Sequence, residues 1–596
     1  MQKSHRRRPT QQQRTRRAIW WTVGAVLGLL VLAGAWVGVR AWLAYGELQQ
    51  ARSGATELQQ QFSADPTNMG GQIDELGEHT QRAAGLTSDP IWRGAELLPW
   101  AGSNLEAFRV TAASLDTVVR SVGAPLAANA DAVHQSLTFD GGRMDLAPLV
   151  SMQDASASAD LQMKRVTANM SQIDRDALVP QLADAVDEFT ELLQPVASGV
   201  GVVNDVSSLL PGMLGSGGSR DTLLLFLNNA EVRSTVGIPG ALALVNATDG
   251  KIALAQQASS SDFPTYDEPV TQLPAEIRGV YGDKPALWIQ NVTMLPEFPM
   301  TGELAATMWE RNFGTRPQAV VTIDPVTLSY LLEATGPIEL ATGDVLTSEN
   351  AVDLLLHEVY LRYEDPRAQD AFFADASSRV FTAVSSGDFD AQKLVTALTR
   401  GAQEDRIKMW SSVGAEQSVI ARTVLAGTLS HIADENARFT MQLNDGTGAK
   451  MDYYLSTKVE MSGQACSTQA EPGEVVVRYT MTNTAPADAG EALPKYITGG
   501  GAFDVSPGSI STVARLFAPE GYTLRSQQVD GSSENAGESL SLFDRSLAQW
   551  NPVLAPGQSS TLELLYAAPQ RNISSVEWGQ TPTFYHEVLN TVDYGC

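Results

Sequence analysis

The chain has 596 residues, 43% hydrophobic and 18% charged, which is the composition of folded protein and length enough for roughly three or four domains. Its formal charge of −27 is unevenly spread: Lys3, Arg6, Arg7, Arg8, Arg14, Arg16 and Arg17 put +7 on the first 17 residues and leave −34 on the rest. An acidic body of that size excludes nucleic acid as the main partner, since a duplex would repel it. It suits a soluble ectodomain, or one that gathers cations around phosphate-bearing ligands.

Ala18 to Val39 is a run of 22 residues without a charge. At about 1.5 Å per residue it spans roughly 33 Å, enough to cross a bilayer. Trp20 and Trp21 stand at one edge, Trp42 and Tyr45 at the other, as an aromatic belt would. Basic residues 1–17 should form a cytoplasmic tail, so the C-terminal body is expected outside a bacterial cell membrane. Ala33-Gly34-Ala35 would serve as a signal-peptide cleavage site, but the apolar stretch continues beyond it, and an uncleaved anchor is expected. The two cysteines, Cys466 and Cys596, both fall in the exported part, where a disulfide persists. Their bond would close a loop of about 130 residues, with on the order of 5 kcal/mol as an upper estimate.

From 44 to 214 the pattern is that of a helical stalk or bundle. Ser103-Asn104-Leu105-Glu106 has capping-box spacing. Leu105, Phe108, Ala112, Leu115, Val119 and Val122 then form a seam, with Gly123 and Pro125 as its expected stop. A second stripe runs Leu178, Leu182, Val186, Phe189, Leu193 and stops at Pro195. Gly212 to Ser219 has the composition of a flexible linker. An α/β domain is expected over 219–435. Leu223–Leu227 is a buried strand, and Asp249-Gly250 a tight hairpin turn between strands 241–245 and 251–255. Helices follow at 303–313, 326–335 and from about 347, with a strand at 319–323; Asp365-Pro366 caps a further helix. From 440 to 596, strands at 453–459, 475–482, 512–517 and 561–566 predict an all-β, sandwich-like domain.

Catalytic signatures are scarce: there is no Walker loop, G-x-S-x-G elbow or H-E-x-x-H, and only six histidines. The candidates are arginines and carboxylates of the α/β domain, at Arg220-Asp221, at Glu231 and Arg233, and at Arg362, Asp365 and Arg367. Guanidinium forks suit phosphate oxygens, and a neighbouring carboxylate can hold a divalent cation such as Mg²⁺. If folding gathers these places, they make a pyrophosphate–Mg²⁺ site. The plainer account of each is a helix cap at Asp365, a solvated strand entry at Arg220-Asp221 and surface charge at Arg362.

The segment Asp221 to Gly240, with the Asp249-Gly250 turn, resembles a Gram-positive membrane family known as domain-of-unknown-function family 4012. The basic tail and single anchor, the stretch Ala319 to Pro337, Leu354 to Arg362, and Tyr496-Ile-Thr-Gly-Gly500 fit it too. A fainter resemblance is to the LytR–CpsA–Psr phosphotransferases, which move glycopolymers from a polyprenyl pyrophosphate carrier onto peptidoglycan. Arg220-Asp221-Thr222, Val320 to Pro325 with Leu331 to Pro337, and Tyr360-Leu-Arg362 followed by Asp365, Arg367 and Gln369 are similar to that family's segments. This likeness implies Asp221, Arg233 and Arg362 as catalytic groups, Arg220, Tyr360 and Arg367 on the pyrophosphate, and Asp221 and Asp365 on Mg²⁺. Where that family has an arginine–aspartate pair after isoleucine–proline, this chain has Ile238-Pro239-Gly240-Ala241.

Two functions follow. One is a phosphotransferase-like enzyme acting on a polyprenyl-linked glycopolymer in cell-wall or surface polysaccharide assembly. The other is a non-catalytic envelope scaffold or glycan-binding protein, in which the arginines are surface charge.

Overall fold

The computed structural model describes residues 11–64, 70–99, 101–129, 139–140, 143–429, 436–465, 473–534, 537–569, 573 and 575–593. The expected Cys466–Cys596 disulfide lies outside the described residues, as do the first ten residues of the basic tail. The chain divides into two compact units, Met1–Ser136 with Ala147–Leu210, and Leu137–Leu146 with Pro211–Cys596.

The first unit is helical. Helix α1 (Gln11–Ala64) is long and apolar enough to cross a membrane, and its side chains from Trp20 to Leu32 are all exposed, consistent with a single-pass anchor. Beyond the apolar run, Ala51 of α1 packs with Ile73 and Leu76 of α2 (Gly70–Thr87) and with Val119. After α3 (Pro90–Ala95) and α4 (Gly102–Asp116), α5 (Ala147–Ser171) buries Met163, Val166 and Met170 against Val186, Leu193 and Val200 of α6 (Pro180–Met213).

Three local expectations fail here. The capping box does not form: α4 opens after Ala101, whose side chain caps nothing, and Asn104 instead accepts the Val179 amide at 2.8 Å. The seam does not stop at Gly123, because Thr117–Gly123 forms a π-helical turn and helix continues to 129. A π turn already breaks the regular i→i−4 ladder, so the missing Pro125 N–H costs less there. Nor does Pro195 end α6: burial of Val200 outweighs the one hydrogen bond that the proline removes.

The second unit is built on a seven-stranded sheet. Its strands are β1 (Phe139–Asp140), β2 (Arg143–Met144), β3 (Arg220–Val232), β4 (Gly237–Thr248), β5 (Lys251–Ser259), β6 (Ala319–Ile323) and β7 (Met409–Ser411), in the order β1-β2-β5-β4-β3-β6-β7. Only β3 and β6 are parallel; the other pairings are antiparallel. The Asp249-Gly250 hairpin forms as expected, with both residues at positive φ (50° and 78°), the pair of values that a two-residue turn between twisted strands requires. Composition misleads at Gly212 to Ser219. Gly215 O accepts the Asp249 amide and Leu214 O that of Gly250, so the stretch is docked on the hairpin.

Leu223, Leu225 and Leu227 of β3 are buried against Leu304, Met308 and Trp309 of α7 (Phe298–Phe313). The predicted helix at 326–335 is α8 (Pro325–Thr335), started by the Asp324 cap and ended by Gly336 at φ 75°. Asp365 caps α9 (Pro366–Ser386) with Pro366 in the first turn.

The strand-rich C-terminal part has two sheets. One contains β8 (Asn436–Asp445), β11 (Ile510–Phe517), β13 (Glu538–Leu542), β14 (Arg545–Trp550) and β16 (Ser575–Gln580), with Val553–Leu554 attached to β11. The other contains β9 (Leu455–Gln464), β10 (Glu474–Asn483), β12 (Thr523–Val529), β15 (Ser559–Ala567) and β17 (Tyr585–Asp593). Inward residues of both, such as Phe439, Met441, Val459, Val477, Leu562 and Tyr566, share one continuous core with Leu328, Leu355, Val359 and Tyr360 of the α/β part.

Helix α7 meets β7 through Gly302, where an added Cβ would lie 2.5 Å from the Trp410 Cβ. Gly302→Ala should therefore lower unfolding stability by about 2 kcal/mol through overpacking. A denaturant midpoint unchanged from the unmodified protein would show that α7 shifts off β7 at no cost.

Candidate functional site: a cleft at the strand ends

β3 and β6 run in the same direction, and their C-terminal ends open together. In α/β sheets ligands bind in the crevice beyond such ends. Here the crevice is a cleft of about 560 Å³, within the range of small-molecule sites. Phe226 and Leu227 of β3, Ile238 to Ala241 of β4, Ile323 of β6, Leu328, Leu355, Leu356, Phe373, Ala376 and Val380 give it an apolar lining. Gly240 is a bulge: Phe226 pairs with Ala241 and Leu227 with Pro239, leaving Gly240 unopposed. Pro239 costs no ladder bond to β5, whose pairing with β4 begins only at Ala241. Leu354–Glu358 is a π-helical turn, an irregularity common at functional sites, and it turns Leu355 and Leu356 into the cleft.

One wall is polar, and it is largely paired within itself. The Asn228 amide donates to the Tyr360 hydroxyl, and Glu231 is ion-paired with Lys450. Tyr360 and Tyr496 stack with centroids 5.7 Å apart, and Lys450 Nζ lies 5.8 and 5.4 Å from their two ring centres. Burial opposes the Lys450 charge, but Glu231 beside it holds the ammonium above the ordinary lysine range; burial also raises Tyr360. Behind the wall, Arg233 Nη2 is 3.5 Å from Glu231 and its Nη1 3.7 Å from Asp445, while Asp452 accepts the Val232 amide at 2.9 Å. Three buried carboxyls thus share two cations. Burial, reinforced by the Asp445 charge, pushes Asp452 well above the carboxylate range, and burial raises Asp445 as well, so the two carboxyls favour retaining a proton, Asp452 the more strongly.

Asp324, also on the lining, is satisfied by Arg406 at 2.7 Å and caps α8 through the Thr327 amide. Nearer the rim lie Asp370, Lys495, Tyr496 and Phe503. Lys495 is exposed, and among the described residues no carboxylate lies within ion-pair distance of it. Phe503 is 74% exposed and follows three glycines at positive φ, Gly499 to Gly501.

The arginines expected to converge do not. Arg220 and Asp221 stand at the start of β3, about 26 Å from Asn228 at the strand's usual rise. There Arg220 pairs with Glu416 and donates to Ser411 at 3.0 Å, and Asp221 accepts from Asn246 at 2.7 Å. Neither lines the cleft, so the catalytic and metal roles given to Asp221 and the pyrophosphate role of Arg220 lose their geometric basis. Arg362 is half-exposed and paired with Asp344 at 2.7 Å and with Glu358. Arg367 is exposed, and Asp365 is occupied as the cap, accepting the Arg367 amide at 3.0 Å. None of these three lines the cleft either. Tyr360 does, and Arg233 reaches it only through Glu231. The residues missed by sequence reasoning are Asn228, Lys450, Lys495 and Phe503. Asn228 lay unremarked inside the family-like segment Asp221 to Gly240; the signal for Lys450, Lys495 and Phe503 was proximity to glycine-rich turns, Gly446 to Gly448 and Gly499 to Gly501, the latter overlapping the family-like Tyr496 to Gly500. Among the described residues, no three His, Cys, Asp or Glu side chains are grouped to hold a metal.

Residues 217–360 match the family model described as protein of unknown function DUF4012. The family resemblance drawn from the sequence is thereby shown over that stretch. The DUF4012 segment supplies β3, the bulged start of β4, β6 and Tyr360, hence most of the apolar lining. Lys450, Lys495 and Tyr496 lie beyond it. A search of the curated proteins finds no match.

Lys450→Met should destabilise the fold by about 3 kcal/mol, since it leaves Glu231 buried without its main partner. Adding Glu231→Gln should restore most of the loss in chemical denaturation; a double variant as unstable as the single would show that the pair is not the cause. Asp452 gives a pH test. An unfolded aspartate loses its proton near pH 3.9, whereas folded Asp452 keeps it to higher pH. The folded state therefore binds more protons between those two values, and stability falls as pH rises across that window. Asp452→Asn should flatten this slope while keeping the Val232 amide bonded. An unchanged slope would place the buried proton elsewhere.

Proposed function

We propose that the protein is a membrane-anchored envelope protein that binds a polyprenyl-phosphate- or pyrophosphate-linked glycan and takes part in cell-wall or surface polysaccharide assembly without transferring the glycan itself. The basic residues of 1–17, ahead of the apolar run of α1, and the acidic body after it favour an extracellular body on a cytoplasmic-membrane anchor. The observation that carries the reading is the apolar cleft at the ends of β3 and β6. A largely hydrocarbon chain would replace water there at no electrostatic cost. Ile238-Pro239-Gly240-Ala241, in place of the arginine–aspartate pair of the LytR–CpsA–Psr enzymes, extends the apolar wall. The anionic head then belongs at the rim, near Lys495. Mg²⁺ would arrive with a pyrophosphate, neutralising it as it does elsewhere.

Binding is favoured over transfer because stabilising a leaving pyrophosphate takes several converging cations or donors. Arg220, Arg233, Arg362 and Arg367 are each engaged elsewhere or face away from the cleft, so that array is missing. The test uses the full chain in nanodiscs with a fluorescent polyprenyl pyrophosphate and Mg²⁺. Saturable binding without phosphate release is expected. Gly240→Phe, whose side chain would enter open space on the cleft wall, should weaken binding roughly tenfold or more, a loss of about 1.4 kcal/mol, with the thermal midpoint kept. No binding by the unmodified chain would leave the scaffold reading; phosphate release would restore the enzyme.

A further inference from the structure

The helical unit has a second apolar surface beside its anchor. Ile91 is 44% exposed, Leu97 86% and Leu98 41%, all on α3 and the turn that follows it. This segment is firmly held. Asp89 caps the Ile91 and Trp92 amides and is ion-paired with Arg40 of α1, whose guanidinium lies 5.2 Å from the Trp36 ring centre. Trp92 is fully buried, and its indole N–H donates to Leu105 O at 3.1 Å. Glu96 is bound by Arg109 at 2.6 Å. Fixed in this way, Ile91 lines an apolar groove with Leu29, Leu30, Ala33 and Trp36 of α1.

The height of that groove identifies its occupant. Counted from Trp20 at 1.5 Å per residue, Ala33 and Trp36 stand about 20 and 24 Å up the helix. A hydrocarbon layer of about 30 Å starting at Trp20 ends near Arg40. Ile91 therefore lies about 5–10 Å inside that boundary, the depth reached by interfacial amphipathic segments. The charges of the segment permit it. Glu96 is already neutralised by Arg109, and exposed Arg93 can extend to lipid phosphate while its stem stays among chains.

We propose that Pro90–Leu98 inserts into the bilayer leaflet on the C-terminal side of α1, giving the protein a second membrane contact alongside its spanning helix. The inference rests on α1 crossing a membrane. Lipid is assigned as occupant because the surface is continuous with that of α1, which lipid must cover at the same level. A partner protein would have to enter the hydrocarbon layer to cover it.

The full, unmodified chain in nanodiscs containing a phospholipid with a diazirine in its acyl chain provides the test, with labelled peptides mapped by mass spectrometry. Labelling of Pro90–Leu98 comparable to that of Val26–Trp36 is expected. Labelled Val26–Trp36 with unlabelled Pro90–Leu98 would overturn the proposal and leave the anchor intact. Unlabelled Val26–Trp36 would instead remove the anchor on which it rests. In a second sample carrying a photoreactive diazirine side chain in place of Leu97, chain-to-chain adducts instead of lipid adducts would assign the surface to a second copy and overturn it as well.

Discussion

The buried ion pair between Glu231 and Lys450 ties the end of β3 to the first loop of the strand-rich part. Everything that shapes the cleft converges on it. Lys450 also faces the Tyr360 and Tyr496 rings, which stack on each other on the same wall, and Glu231 in turn contacts Arg233, which reaches Asp445. Two opposite charges removed from water seldom stabilise a fold relative to apolar residues of the same size. What the pair adds is registry: a shifted loop would leave Glu231 or Lys450 buried and unpaired, which costs far more than a poorly packed methyl. The same account covers Asp452, whose burial is eased by its raised proton affinity and by the Val232 amide it accepts. Polar contacts therefore hold the α/β part and the strand-rich part in one arrangement, and the apolar cleft is the gap they leave.

Features with local causes were legible in the sequence. The Asp249-Gly250 turn, the Asp365 cap, the strand at 319–323 and the apolar run of α1 each depend on a few neighbouring residues, and each forms where expected. Proline and glycine were weaker guides. Helix passes through Pro125 and Pro195, and the Gly212–Ser219 stretch is bonded to a hairpin that lies some thirty residues on. The π turn ahead of Pro125, the burial of Val200 beyond Pro195 and the hairpin hydrogen bonds of Gly212–Ser219 each outweigh a local preference of about 3 kcal/mol or less.

The site was the hardest part to read, for a geometric reason. Arg220 and Arg233 look close in the chain, but an extended strand separates them by tens of ångströms. Lys450 and Glu231 look remote, yet they touch. Residue type suggested phosphate chemistry, and type alone could not distinguish an arginine facing a cleft from one consumed by Glu416 or Asp344. Tyr360 was found because family likeness, rather than charge, pointed to it.

The charge balance of the cleft bears on how an amphipathic ligand would lie. Glu231 and Asp324 face it but are neutralised by Lys450 and Arg406, so the interior has little net field. A pyrophosphate drawn inward would lose its water and gain no uncommitted donor of comparable strength, a balance that is unfavourable by several kcal/mol for each unpaired charge. A hydrocarbon chain moving the same way loses nothing polar. On the proposed function, the two ends of a lipid-linked glycan would be sorted by solvation alone: tail inside, head at the rim beside Lys495, where water remains. That placement leaves the phosphoryl bond hydrated and away from any array of fixed cations, which is a good position for holding a carrier and a poor one for cleaving it.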